Sequence, residues 1–213
     1  MNLTKNTGIN LSKGSSISLQ KDGHGLEEVC FGLNWGAIKN KGLISRLLNP
    51  TEPVDLDGTI AILDANKTLI DIVYYHQLVS KDGAIKHSGD DRAGDTGSDD
   101  EQDNEIIYFD LRKVTPKAHS IFVFLNSYKG QDFGSIPYSK VRIYEGKPGN
   151  IKSVFATFNL SAESGFAGKV SMVMGKLSKD EKGHWQFHTI GQAVDAPNID
   201  ETIKEIKRTF FIS

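Results

Sequence analysis

Residues 153–191 read SVFATFNLSAESGFAGKVSMVMGKLSKDEKGHWQFHTIG. Three runs within this stretch, Ser153–Leu160, Lys169–Leu177 and His184–Gly191, have the period-2 alternation and the β-branched and aromatic content of strands. The segments joining them are too short for a crossover helix, which disfavours a parallel sheet and has the chain fold back on itself. The pattern recurs upstream at Ser16–Leu19, Glu28–Trp35, Thr59–Asp64, Leu69–Tyr75, Glu105–Leu111, Ser120–Asn126 and Lys140–Glu145. Turn signals separate these runs, among them Lys21-Asp22-Gly23, Asp64-Ala65-Asn66, Lys81-Asp82-Gly83 and Gly146-Lys147-Pro148-Gly149. Ten short strands so punctuated predict a mainly β protein, an antiparallel sandwich or barrel.

Two segments depart from the pattern. Asn198 is placed to cap a short C-terminal helix over about 199–210, with Ile199, Ile203, Ile206 and Phe210 along one side to cover a sheet face or edge. Ala37–Pro53 mixes Ile38, Ile44, Leu47 and Leu48 with Lys39, Lys41 and Arg46 and reads as an inserted loop with a short amphipathic turn. Packing on its own sandwich is the commoner fate of such a segment, and peripheral membrane contact through Ala37–Pro53 is the alternative.

Composition narrows the function classes. At 213 residues and 23.4 kDa the chain has room for one large domain or two small ones. No stretch reaches the roughly 18 consecutive apolar residues of a membrane-spanning helix, and the first twenty residues lack the apolar run of a secretory signal. Cys30 is the only cysteine, which excludes an internal disulfide and a cysteine-based zinc site. A reducing, cytoplasmic setting is expected. Net charge is −2, yet residues 90–105 hold eight acidic residues against the single Arg92, so the remaining chain is mildly basic. No concentrated Lys/Arg stripe tracks phosphates, so no nucleic-acid partner is expected.

The acidic segment begins Gly89-Asp90-Asp91-Arg92-Ala93-Gly94-Asp95 and continues to Asp99-Asp100-Glu101. Hard divalent cations take six to eight oxygen ligands, which carboxylates and carbonyls of such a loop supply together. Like charges a few ångströms apart repel by about 1 kcal/mol per pair even in bulk water, and a cation relieves that repulsion. With no second cysteine and only scattered histidines, oxygen ligation favours calcium over zinc, copper or magnesium. The spacing is not that of an EF-hand, since Ala93 occupies the third position counted from Asp91. Val54-Asp55-Leu56-Asp57-Gly58 adds a second acidic feature, because alternation places Asp55 and Asp57 on one face. A solvated acidic loop and a simple turn entry are the alternative readings of these two features.

Catalytic signatures are weak. Paired carboxylates serve glycoside hydrolysis when an apolar setting raises one pKa, and the loop has no flanking aromatics. There is no G-x-S-x-G elbow, Walker A loop or dinucleotide fingerprint. His87 reads as structural, donating to a loop carbonyl, and His76 as packed near the same region. Cys30 reads as a buried, inert thiol, and Trp35 and Trp185 as core or edge aromatics.

The order Leu11-Ser12-Lys13-Gly14, Gly32-Leu33-Asn34-Trp35, Val54-Asp55-Leu56-Asp57, His87-Ser88-Gly89-Asp90-Asp91-Arg92, Gly130-Gln131-Asp132-Phe133-Gly134 and Trp185-Gln186-Phe187 resembles the tellurium-resistance TerD-domain family from about Leu3 to Ala196. The resemblance implies a single antiparallel two-sheet β-sandwich domain over 1–213 that binds calcium in acidic loops, within a bacterial tellurium-resistance and stress-response system. Carried over residue by residue, the metal ligands would be Asp55, Asp57, Asp90, Asp91, Asp99, Asp100 and Glu101, with two ions expected. Asp91 stands where the family has Asn, and Ala93, Thr96 and Ser98 replace a usual Thr and two glycines. Gly36 follows Trp35 where the family often has Asp, and Glu163 is an additional candidate ligand. The expected function is a non-catalytic calcium-binding domain whose partners are other stress-response or tellurium-resistance proteins. The alternative is a metal-assisted small-ligand-binding or hydrolytic domain using the same loop.

Overall fold

A computed structural model describes residues 8–39, 47–48, 51–95, 102–148, 150–161 and 164–211. The first half of the chain forms β1 (Ile9–Leu11), β2 (Ser16–Ser18), β3 (Gln20–Lys21), β4 (His24–Gly25), β5 (Glu28–Trp35), β6 (Ile38–Lys39), β7 (Thr51–Glu52), β8 (Leu56–Leu63), β9 (Leu69–Val73) and β10 (Ile85–His87). The second half adds β11 (Glu105–Asp110), β12 (Ser120–Ser127), β13 (Tyr138–Lys147), β14 (Asn150–Ser161), β15 (Ser171–Lys179) and β16 (Trp185–Val194), then helix α1 (Ile199–Glu205). One six-stranded sheet runs β1-β14-β13-β5-β11-β10 and the other β2-β16-β15-β12-β8-β9, with β3–β4 and β6–β7 as separate two-stranded ribbons. Each of the ten expected strands is present. The pairings are antiparallel except that β1 lies parallel to β14.

The sheets enclose a core from their facing sides. Val29, Phe31 and Leu33 of β5 meet Ile60 and Ile62 of β8, Val123 and Leu125 of β12, and Phe187 of β16. Phe31 stands 5.0 Å from Phe109 and 5.3 Å from Phe187, ring centre to ring centre, in the tilted and edge-on arrangements favoured by the ring quadrupole.

Strands β8 and β12 are buried along their whole length. Their outer faces carry Ala61, Leu63, Phe122 and Phe124, which the C-terminal segment covers with Ile203, Ile206, Phe210 and Phe211. This double burial explains why Ile121–Leu125 is continuously apolar rather than alternating. The Asn198 side chain accepts the Glu201 N–H at 3.0 Å, the cap expected from sequence. The helix keeps α geometry to Glu205 and continues as one π turn, Ile206–Phe210.

Two differences from the sequence expectation bear on function. Strand β8 starts at Leu56 rather than Thr59, because pairing with β12 extends to Ser127↔Leu56. Asp57 is therefore inside a strand, opposite Asn126, and not in a turn entry. Strand β10 was not expected; its three residues pair with β11 and deliver the chain to the acidic segment. Of Ala37–Pro53, residues 40–46 and 49–50 lie outside the described residues, while Leu47 and Leu48 are exposed. Among the described residues no helix is long and apolar enough to cross a membrane.

Ile206 is fully buried between the helical segment and the second sheet. Ile206→Ala should cost about 2–5 kcal/mol of stability, from lost transfer energy and the cavity left behind, read as a lower urea midpoint at unchanged slope.

Candidate metal centre

Asp55 and Asp57 each expose only 4% of their surface, although both are carboxylates. Alternation along the chain into β8 sends them to the same side, as expected from sequence. The chain leaving β10 brings Asp90 to them, and one carboxylate oxygen from each of the three lies within 4.8 Å of the others. Lys129 Nζ approaches Asp55 Oδ2 at 3.2 Å and Arg92 Nε approaches Asp90 Oδ2 at 2.9 Å. Both cations are largely exposed, so each offsets little of the carboxylate repulsion. Burial, then the neighbouring Glu105, Asp90 and Asp55, pushes the Asp57 carboxyl up to about 7.

Behind this cluster sits Glu105, a residue that sequence reading did not single out. Its Oε2 accepts the Gly58 N–H at 2.8 Å and faces His87 Nε2 at 3.2 Å, with both side chains essentially inaccessible. The Gly89 N–H points at His87 Nδ1 at 3.0 Å, so Nδ1 accepts and Nε2 carries the proton toward Glu105 and the Gly58 carbonyl, 3.1 Å away. His87 thus bonds to β8 and Glu105 rather than to the loop carbonyl expected from sequence. Desolvation raises the Glu105 carboxyl above its ordinary range, opposed by hydrogen bonds from His87 and the Gly58 and Asp91 amides. Gly58 is required by close approach: a Cβ there would meet Leu33 Cδ1 at 2.4 Å and Glu105 Oε2 at 2.5 Å.

The acidic segment divides into different tasks. Asp91 Oδ1 accepts the N–H groups of Ala93 at 2.9 Å and Gly94 at 3.0 Å, an Asx-type turn, and Asp91 is not among the three clustered carboxylates. Asp95 is pinned to the end of β5: its N–H donates to the Trp35 carbonyl at 3.0 Å and its Oδ2 accepts from Asn34 at 3.1 Å. Asp103 accepts from Arg142 Nε at 2.7 Å and Tyr144 Oη at 2.6 Å, over Gly32, where no Cβ would fit. Asp99, Asp100, Glu101 and Glu163 lie outside the described residues. Burial pushes the Cys30 thiol up to about 12, in keeping with an inert core cysteine.

Aromatic side chains do flank the cluster, contrary to the impression from sequence, because they come from other elements. A cavity of about 340 Å³ is lined by the three carboxylates together with Tyr75, His76, Arg92, Tyr128 and Lys129. A second, of about 480 Å³, shares Asp57, Tyr75 and Tyr128 and extends to Asn198–Asp200 at the start of α1. His76 packs on Tyr75 with ring centres 4.3 Å apart, near the region expected. Oxygens on opposite sides of a calcium ion are about 4.6–5.2 Å apart, so three oxygens all within 4.8 Å of one another can share one such ion.

A two-sheet, mainly β fold with an oxygen-only acidic cluster at one end of a central strand defines the class. The chain belongs to the TerD family: the model of the TerD domain matches residues 7–205. It is 28% identical over 200 residues to tellurium resistance protein TerZ of Serratia marcescens, covering 93% of this chain and 96% of that protein. Stress response protein SCP2 of Bacillus subtilis is 28% identical over 203 residues, covering 92% and 97%. The crystal structure of a telluride resistance protein (TerD) homologue from Streptomyces coelicolor A3(2) shares the fold, with a TM-score of 0.58, 19% identity, and 81% and 92% of the two chains covered.

Two outcomes test this geometry. Gly58→Ala should displace Glu105 and cost about 1–3 kcal/mol, with the His87 ring resonances shifting in an NMR spectrum. The ordinary aspartate pKa is near 4, so in metal-free protein the raised Asp57 value makes its proton favour the fold below about 4, an advantage lost as pH rises through about 7. In chelator, Asp57→Asn should therefore be more stable than the parent at pH 8, with the gap narrowing as pH falls and closing only near pH 4; a gap independent of pH would contradict the assignment.

Proposed function

We propose that this chain is a non-catalytic calcium-binding domain of a bacterial tellurium-resistance and stress-response system. The observation that carries the reading is the convergence of Asp55, Asp57 and Asp90, two of them buried, within the span of one calcium coordination sphere. Calcium would neutralise the cluster and join the start of β8 to the loop after β10, with Asp91 shaping that loop. A second ion, held by Asp99, Asp100 and Glu101, is part of the same proposal. The family membership supports the cellular setting, since relatives are named as tellurium resistance and stress response proteins. Cytoplasmic location, and partners drawn from the same response, belong to this proposal as well.

A second reading is favoured by the cavity beside the cluster. A calcium ion on the three carboxylates would leave Arg92, Lys129 and His76 to face a small anionic ligand that completes its coordination.

Thermal unfolding of chelator-stripped protein, titrated separately with calcium and magnesium, tests the first reading. Calcium at a hundred times its dissociation constant should stabilise the fold by about 2.7 kcal/mol, a rise of several degrees at this size. The response should be selective for calcium and lost in Asp90→Asn. No shift with either ion would sink the proposal. A calcium-dependent further rise with inorganic phosphate, absent in chelator, would select the second reading.

A further inference from the structure

The 480 Å³ cavity has a chemistry distinct from that of the metal cluster it adjoins. Among the described residues its wall includes Asp57 and Asp200 and no lysine, arginine or histidine. Three tyrosines line it: the Tyr74 and Tyr75 rings are 5.3 Å apart at 82°, and Tyr75 and Tyr128 are 6.0 Å apart, also at 82°. These are edge-to-face contacts, and an ammonium group within about 6 Å of a ring centre beside a carboxylate is attracted to the exposed π face. Leu69, Ile72 and Ile199 supply the apolar part of the wall.

Asn126 carries a buried hydrogen-bond network behind this cavity. It forms part of the wall, is only 6% exposed, and lies directly across from Asp57 in the sheet. Its Nδ2 donates to Ser171 Oγ at 2.5 Å and to Thr202 Oγ1 at 2.9 Å. Those hydroxyls donate in turn to the Ala196 carbonyl at 2.6 Å and the Asn198 carbonyl at 2.9 Å, so they have no proton left for Asn126. The amide orientation follows, and Asn126 Oδ1 is left a buried acceptor with no partner. A buried acceptor without a donor costs stability.

We propose that this cavity binds an organic ammonium ion on a short apolar body, with the charged group among the Tyr75 and Tyr128 rings and Asp57. The apolar body lies along Leu69, Ile72 and Ile199. Anions are disfavoured by the two carboxylates. The site does not rest on the calcium reading, and it is tested with divalent ions removed.

The probe is n-hexylammonium, titrated calorimetrically into the full chain in chelator at pH 7.5, with hexanoate as a control for the same apolar body. Saturable binding of hexylammonium without binding of hexanoate is expected. Tyr128 is 64% exposed, so its substitution spares the fold. Tyr128→Phe, which keeps the ring, should bind as the parent does, and Tyr128→Ala should bind about fivefold more weakly. Absence of saturable binding up to ~10 mM, equal binding of hexanoate, or an unchanged affinity in Tyr128→Ala would overturn the proposal. The calcium titration above reads a different response, so either reading can fail alone.

Discussion

Burial of β8 on both faces is the constraint from which the rest of the structure follows. One face of this strand packs into the core between the sheets, and the other is covered by the C-terminal helical segment. Covering reaches Ala61 and Leu63 but the helix begins only at Ile199, which leaves the Asp57 end of the outer face open as a cavity. Asp57 is thereby held on a rigid, doubly packed strand yet faces space. That combination keeps a carboxylate largely dehydrated without covering it with apolar atoms, and it is why its proton is held so tightly.

The carboxylates around Asp57 are arranged by the two sheets together. Glu105, at the start of β11 in the first sheet, reaches across to the Gly58 amide of the second, and His87 on β10 completes the bridge. Gly58 makes this contact geometrically open, and the defined tautomer of His87 makes it directional. The bridge fixes the distance between the sheets at the end where the acidic residues meet. Asp95 anchors its segment to β5 through Asn34 and Trp35, and Asp103 anchors its own to β13 through Arg142 and Tyr144, so part of the acidic charge holds these segments in place. The cation cluster uses a small subset of it.

Asp57 also joins two cavities of opposite character. On the Asp55 and Asp90 side the lining includes Arg92, Lys129 and His76; on the Asn126 side it is aromatic, apolar and acidic, without a basic residue among the described residues. Tyr75 and Tyr128 belong to both walls. Occupancy of either cavity therefore acts on the same carboxylate and the same two rings, which gives the two sites a direct physical connection through shared atoms.

Much of this was legible in the chain. Alternation located ten of the twelve strands of the two sheets, short connections made them antiparallel, and Asn198 with the Ile199, Ile203, Ile206 and Phe210 row defined the helical segment and its buried side. The D-x-D spacing put Asp55 and Asp57 on one face by the period of a strand. These are local consequences of backbone geometry, and a period of two or 3.6 residues reads them directly. The start of β8 at Leu56, the parallel placement of β1 and the pairing of β10 were decided by partners remote in sequence. The same holds for the choice of Asp90 over Asp91 as third carboxylate, for Glu105 and for the tyrosines beside Asp57. Charge density in the sequence announced an electrostatic problem, but which carboxylates face one another depends on register between strands and on the path between sheets. Only the packed structure determines those distances.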